Sequence, residues 1–211
     1  MYFISGAEAG FAMSASSQAY ADGGFGKSTL GKVCNYRYKV FVETLGWQLK
    51  SKNKQEWDQF DRPDTVYVVA EGDDGEVVGC ARLLPTHRPY LLGEVFPQLM
   101  AGRELPCSDD VWELSRFAAV DFNSKNTSAL QQFSSPVAIK LLQQSIACAA
   151  AQGAKRLITV SPIGIECLLR RAGFRAHRAG SPTVVDGHPL FACWIQIDSA
   201  TMASERGLLS S

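Results

Sequence analysis

Three arginines and a run of carboxylates stand where apolar residues would be expected. The stretch "VWELSRFAAV", residues 111–120, reads as a buried strand, yet it carries Glu113 and Arg116 among Trp112, Leu114, Phe117, Ala118 and Val120. Arg82 interrupts a second apolar run, "VVGCARLL", and Arg37 falls four residues before Phe41 in a helical pattern. Glu56, Asp58 and Asp61 gather within six positions beside Trp57, with Trp47 upstream. Carboxylates in apolar surroundings can accept protons, and guanidinium groups can clamp carboxylates by bidentate pairing. Taken singly, each of these residues suits a structural ion pair, since breaking a buried pair costs about 3–5 kcal/mol while making one gains little. Taken together they make a candidate functional cluster. Alternation along a regular strand points residues 113 and 116 to opposite faces, so a shared pocket requires a bulge near Leu114 and Ser115.

The elements that must position these groups follow from local pattern. "MYFIS" is a short first strand, and the Ala-, Ser- and Gly-rich residues 6–27 form a mobile loop. Ser28 or Thr29 caps a helix whose apolar positions Leu30, Val33, Cys34, Val40 and Phe41 recur at helical spacing, ending near Leu45 and Gly46. "TVYVVA" and "EVVGCARLL" flank "EGDDG", a β-hairpin turning at Asp74 and Gly75. A short helix over "PYLLGEVFPQLM" precedes the charged strand. Ser135, Pro136 and Gly153 mark the start and stop of a long helix. Strand "RLITVS", helix "IGIECLLRRAG" and a hairpin turning at Asp186 and Gly187 complete the order. Strands alternating with helices and ending in hairpins predict one α/β domain over residues 1–198, with a mixed sheet covered by helices, and a disordered tail over 199–211.

Composition narrows the function. The 211 residues carry 21 Lys plus Arg and 21 Asp plus Glu, which argues against a nucleic-acid or membrane binder. Six cysteines, at 34, 80, 107, 148, 167 and 193, show neither a CxxC nor a histidine at ligand spacing. Reduced thiols in a cytoplasm fit this pattern better than disulfides or zinc. No apolar run reaches the roughly 18 residues of a membrane helix, and the first residues lack the basic region of a signal peptide. "ADGGFGKS", residues 21–28, nearly matches a phosphate-binding loop, but no strand feeds it and Ala21 replaces the first glycine. It reads as a glycine-rich entry into a helix.

The stretches "YRYKVFVETLGW", "EWDQFD", "CARLLPTHRPYLL" and "WELSRFA" together resemble the LuxI-type acyl-homoserine lactone synthases, from about residue 35 to 198. The family's charged and aromatic positions fall on Arg37, Phe41, Trp47, Glu56, Asp58, Asp61, Arg82, Phe96, Glu113 and Arg116. The resemblance implies a GNAT-like three-layer α-β-α fold with a mixed, mostly antiparallel central sheet. It implies two substrates, S-adenosylmethionine and an acyl chain on acyl carrier protein, and no cofactor or metal. The products are then N-acyl-homoserine lactone, methylthioadenosine and free carrier protein, as a quorum-sensing signal pathway requires.

On that resemblance Glu113 is the base or holds a water that serves as base, with Arg116 and Arg37 completing the catalytic group. Phe41, Trp47, Asp58, Asp61 and Arg82 bind S-adenosylmethionine, with Arg82 bracing the acidic run. Phe96, Phe117, Thr159, Val160, Leu168 and Trp194 line the acyl site, joined by Leu141 and Ile146. Thr159 stands where a threonine accompanies 3-oxo chains in relatives, which points to a 3-substituted chain of medium length. Lys140, Lys155, Arg156, Arg170 and Arg171 form a basic face for the acidic carrier protein. Two other readings stay open: a GNAT N-acyltransferase using acyl-CoA, and a non-enzymatic ligand-binding module. The glycine-free segment after Val120 disfavours CoA, whose pyrophosphate usually meets a glycine-rich turn.

Overall fold

The computed structural model describes residues 2–4, 11–16, 27–122 and 135–197. In chain order it runs β1 (Tyr2–Ile4), β2 (Phe11–Ser16) and α1 (Lys27–Arg37), the last continued by a π-helical segment, Tyr38–Thr44. A two-residue pair, β3 (Ser51–Lys52) and β4 (Gln55–Glu56), precedes β5 (Val66–Gly72) and β6 (Val77–Pro85). Then come α2 (Leu91–Val95), a 3-10 turn (Pro97–Met100), β7 (Val111–Ala118) and α3 (Pro136–Ala151). The last elements are β8 (Arg156–Pro162), α4 (Ile165–Arg171), β9 (Ala176–Arg178), β10 (Thr183–Val185) and β11 (His188–Gln196).

Local chemistry explains several of these elements. In the β5–β6 hairpin the Gly72 N–H donates to the Glu76 carbonyl at 2.8 Å, and Gly75 takes φ 72°. Left-handed backbone is cheap at glycine, so the turn closes where Asp74-Gly75 predicts. The Ala138 N–H donates to Ser135 Oγ at 3.1 Å, capping α3 behind Pro136. The last hairpin turns through Asp186 (φ 48°) and Gly187 (φ 79°), two left-handed residues in succession as a type I′ turn requires. The first helix departs from expectation in its final turns. Leu45 N–H donates to the Val40 carbonyl and Thr44 Oγ1 to the Lys39 carbonyl, both five residues back, before Gly46 (φ 69°) ends the helix.

Backbone contacts divide the chain into two compact units, residues 1–82 with 116–141, and residues 83–115 with 142–211. The first unit holds the strand order β1-β2-β5-β6, antiparallel at β1/β2 and β2/β5. Residues 6–27, expected as a loop, therefore contain a strand, β2, which registers Phe11 opposite Gly72 and Ser16 opposite Tyr67. All six of its residues register with β5. Residues 17–26, with most of the near-phosphate-loop motif, and the tail after 197 lie outside the described residues. The core of this unit packs Val33, Tyr36, Val40, Phe41, Tyr67, Val69 and Cys80.

The second unit holds the order β7-β8-β11-β10, with β9 also on β11. β7 and β8 are parallel, Glu113 opposite Ile158, and the other pairs are antiparallel. The result is a mixed, mostly antiparallel α/β arrangement. Among the described residues no helix is long and apolar enough to cross a membrane.

Candidate active site

The acidic run between β4 and β5 is held by its own side chains. Asp58 Oδ1 accepts from the Phe60 N–H at 2.9 Å, and Asp61 Oδ2 accepts from the Asp58 N–H at 2.7 Å. Thr65 Oγ1 donates to the Phe60 carbonyl at 2.6 Å and accepts from the Arg62 N–H at 2.9 Å. Short polar side chains that bond nearby backbone favour such turns. A stretch that could pass for a solvated loop is thereby fixed, with Glu56 and Asp61 pointing inward.

Three arginines meet these three carboxylates in a closed alternating ring. Arg37 Nε donates to Glu56 at 2.6 Å, and its Nη1 and Nη2 grip Asp61 at 2.8 and 3.1 Å. Arg82 Nη1 bridges Asp61 at 2.9 Å and Asp58 at 2.6 Å. Arg116 Nη2 bridges Asp58 and Glu56, each at 3.0 Å. Every guanidinium thus serves two carboxylates, and every carboxylate two guanidinium groups. The ring is neutral as a whole, which is how charges survive in apolar surroundings. Arg37 and Arg82 are fully buried, whereas the side chains of Asp58 and Arg116 remain 12% and 6% exposed.

Electrostatics follow the ring. Burial works to raise the Asp61 carboxyl, but Arg37 and Arg82, with hydrogen bonds from Arg37 and Tyr67, hold it well below the usual carboxylate range. Burial likewise disfavours charge on Arg37, and Asp61 and Glu56 outweigh it, so the guanidinium stays protonated. Tyr67, which sequence reading did not single out, donates its hydroxyl to Asp61 Oδ1. Burial, then the neighbouring Asp61 charge, pushes that phenol well above its ordinary value.

Aromatic rings cover the open corner. Arg116 lies over the Phe41 ring, 5.7 Å from its centroid, and Phe41 stacks on Trp47 at 5.1 Å and 25°. The π-helical turns end in the Trp47 N–H donating to the Phe41 carbonyl at 2.9 Å, which fixes that stack. The backbone of β7 turns left-handed at Arg116, one residue beyond Ser115, where φ is 51°. The sequence therefore brings Arg37, Phe41, Trp47, Glu56, Asp58, Asp61, Arg82 and Arg116 together.

Glu113 is placed in the second unit and is fully buried there. Its Oε2 accepts from the Leu91 N–H at 2.9 Å and Oε1 from the Leu92 N–H at 2.6 Å. Those are orphan donors of the α2 N-terminus, where Tyr90 supplies no side-chain cap.

The acyl candidates divide. Cross-strand register pairs Trp194 with Ile158, Ala192 with Val160 and Cys193 with Thr159. Val160 and Trp194 thus share one face of the sheet, and Thr159 points to the other. Thr159 and Val160 cannot line one cavity while β8 stays regular. Phe96, Phe117 and Leu168 are half-buried. Of the basic candidates, Arg156, Arg170 and Arg171 are exposed, Lys155 pairs with Asp110 at 3.3 Å, and Lys140 is half-buried in α3. Arg156 covers Trp194 at 4.6 Å. Among the described residues no cluster of three or more His, Cys, Asp or Glu could hold a metal ion.

A family model described as autoinducer synthase matches residues 25–204. The chain belongs to that family. It is 59% identical over 173 residues to the acyl-homoserine-lactone synthase of Acinetobacter nosocomialis, covering 82% of this chain and 94% of that relative. The solved structure of TofI in a ternary complex with an inhibitor and MTA aligns at TM-score 0.76 and 44% identity, over 91% of this chain and 95% of that one. BjaI, a CoA-dependent acyl-homoserine lactone synthase solved with SAM and isopentyl-CoA, aligns at TM-score 0.73 and 27% identity, over 85% and 81%. A putative N-acetyltransferase from Lactobacillus plantarum shares the fold alone, at TM-score 0.54 and 15% identity. The chain is an autoinducer synthase of GNAT-like fold, an enzyme of acyltransferase type.

Proposed function

We propose that the protein, in the cytoplasm, moves an acyl group from acyl carrier protein to the α-amine of S-adenosylmethionine and closes the lactone. Residues 1–198 act as one catalytic domain in this reading. The observation that carries it is the neutral ring, open at Asp58 and Arg116 beneath Phe41 and Trp47. Such a corner suits a substrate that is zwitterionic and cationic at once. Arg116 takes the methionyl carboxylate, Asp58 the ammonium, and the aromatic faces the sulfonium. Arg37, Asp61 and Arg82, buried inside the ring, brace those two groups.

Two bonds form. The ammonium must first lose a proton, and Glu113, or a water it holds, accepts it. The freed amine attacks the thioester carbonyl, the C–N bond forms, and the carrier thiolate leaves and takes a proton. The methionyl carboxylate then attacks its own γ-carbon, and the C–S bond breaks with its electron pair passing to sulfur. The sulfonium leaves readily, so holding the chain bent is the main task. Phe96, Val160, Leu168 and Trp194 are the side chains proposed for the acyl tail. Thr159, on the opposite face, reads a 3-oxygen only if β8 departs from regular pleating. Lys155, Arg156, Arg170 and Arg171 are the proposed docking charges.

Likeness to the CoA-dependent BjaI supports acyl-CoA as a second reading of the donor. Mass spectrometry of purified protein with S-adenosylmethionine and a panel of acyl-carrier proteins and acyl-CoAs decides both. Lactone plus methylthioadenosine is the expected result, with turnover fastest from the carrier protein. Acyl transfer to another amine, or binding without turnover, defeats the reading.

A further inference from the structure

One buried polar group of the first unit is left unused by the ring: the thiol of Cys80. It lies on β6 two residues before Arg82, 1% exposed, in the apolar cluster with Val33, Tyr36, Val40 and Phe41. Its Sγ stands 3.3 Å from the carbonyl oxygen of Arg116. Burial pushes the thiol up to about 12, so at neutral pH it remains S–H and meets that oxygen as a donor.

The carbonyl it meets belongs to an unusual residue. Arg116 holds φ 51° in mid-strand, where an L side chain crowds its own backbone. Such a conformation persists when its surroundings over-determine it. The far end of Arg116 is fixed by Glu56 and Asp58. The near end has the Cys80 contact. β6 also has no room to drift there: a Cβ on the adjacent Gly79 would stand 3.3 Å from the Ala118 carbonyl oxygen, from Ala70 Cβ and from Leu141 Cδ2.

We propose that Cys80 is a positioning residue of the substrate site, its S–H holding the Arg116 peptide in the left-handed conformation that delivers the guanidinium to Asp58 and Glu56. On the functional reading above, it thereby sets the affinity of Arg116 for the carboxylate of S-adenosylmethionine. A thiol suits the position because the sulfur tolerates apolar neighbours while its S–H still donates weakly.

The test compares Cys80→Ala, Cys80→Val and Cys80→Ser with the parent protein. S-adenosylmethionine affinity is read by calorimetry, KM and kcat by lactone formation, and folding by thermal midpoint. A weak hydrogen bond acting through Arg116 predicts about fivefold weaker affinity and higher KM for Ala and Val alike. kcat should stay within about twofold, and Ser, which keeps a donor, should recover most of the affinity. If Cys80 were only filler, Val would match the parent while Ala and Ser would fall together, and the proposal is overturned. Equal affinity across all four overturns it too. Absence of lactone from the parent protein defeats the functional reading, while calorimetry still reports on Cys80. Absence of S-adenosylmethionine binding to the parent removes both.

Discussion

The ring of the first unit and the ion pairs of the second use the same side chains to different ends. Arg37, Arg82 and Arg116 are each bonded to two carboxylates, and the ring's side chains are at most 12% exposed. Arg170 and Arg178 share one carboxylate, Glu166, and are 56% and 42% exposed; Lys155, at 77%, pairs with Asp110. Water already solvates the cations of the second set, although Glu166 is only 12% exposed, so pairing adds less there and salt screens it. The ring has given up that solvation, and only mutual pairing restores it. Each member is then indispensable to its two neighbours, which makes the ring a geometric device: it holds Asp58 and Arg116 in one arrangement.

The largest expected effect follows from breaking the ring at its most committed member. Asp61 serves Arg37, Arg82 and Tyr67 together. Asp61→Asn should cost about 3–5 kcal/mol of stability in urea unfolding, as loss of one partner of a buried pair does. It should also abolish turnover, although Asp61 itself meets no substrate in the proposed site. Asp58→Asn, at the exposed corner, should cost less stability, about 1.5–3 kcal/mol, and act mainly on KM for S-adenosylmethionine. Acid should repeat the first experiment. The folded Asp61 carboxyl is depressed, so its stabilisation is complete above the ordinary aspartate value and is lost as pH falls from there toward the depressed one. Urea midpoints measured from pH 6 to pH 2 should therefore fall steeply for the parent below about pH 4. Asp61→Asn should flatten that slope. An unchanged slope would mean that other carboxylates govern acid unfolding.

Glu113 is the intermediate case, a buried carboxylate that accepts from two backbone amides of α2. In Glu113→Gln one of the two α2 amides must face an N–H₂ group or lose its acceptor, a cost of about 1–3 kcal/mol. Thermal midpoint and turnover separate its two possible duties. A lower midpoint with retained turnover and normal substrate affinity removes Glu113 from proton transfer and leaves it as the cap of α2. Loss of kcat beyond what the folded fraction explains supports the base.

These contrasts were unevenly legible in the sequence. Residue types disclosed the ring's arginines, because Arg in an apolar run conflicts with local preference, while the carboxylates stood out only by gathering beside Trp57. Their pairing order could not be read, since it depends on side chains 19 to 60 positions apart. Tyr67 and Cys80 escaped for the opposite reason: a tyrosine and a cysteine in a strand look like ordinary core. Turn chemistry at Asp74-Gly75, Ser135-Pro136 and Asp186-Gly187 gave those boundaries directly. β2 did not announce itself, because what defines it is pairing with the distant β5, which leaves little mark on so short and Ala- and Ser-rich a stretch. The π-helical turns were invisible for a similar reason, as five-residue hydrogen bonds leave no mark on apolar spacing. The division of Thr159 from Val160 was readable all along, since neighbours in a strand face opposite ways.

The smallest effect should come from the exposed cations, and it tests the comparison from the other side. If Arg170 and Arg171 serve encounter and not structure, replacing both with alanine should change stability by at most about 1 kcal/mol. The Arg170–Glu166 contact at 3.7 Å is long, and Glu166 keeps its 2.9 Å bond to Arg178. The signature should instead be kinetic. Charge steering of an acidic partner raises association rates and fades with salt. KM for the acyl-carrier protein should therefore rise several-fold in the double variant at low ionic strength, on the order of 3–10-fold, and converge with the parent near 0.5 M salt. S-adenosylmethionine affinity should not move. A stability loss comparable to that of Asp61→Asn would instead place these arginines among the structural pairs, and the contrast between the two regions would fail.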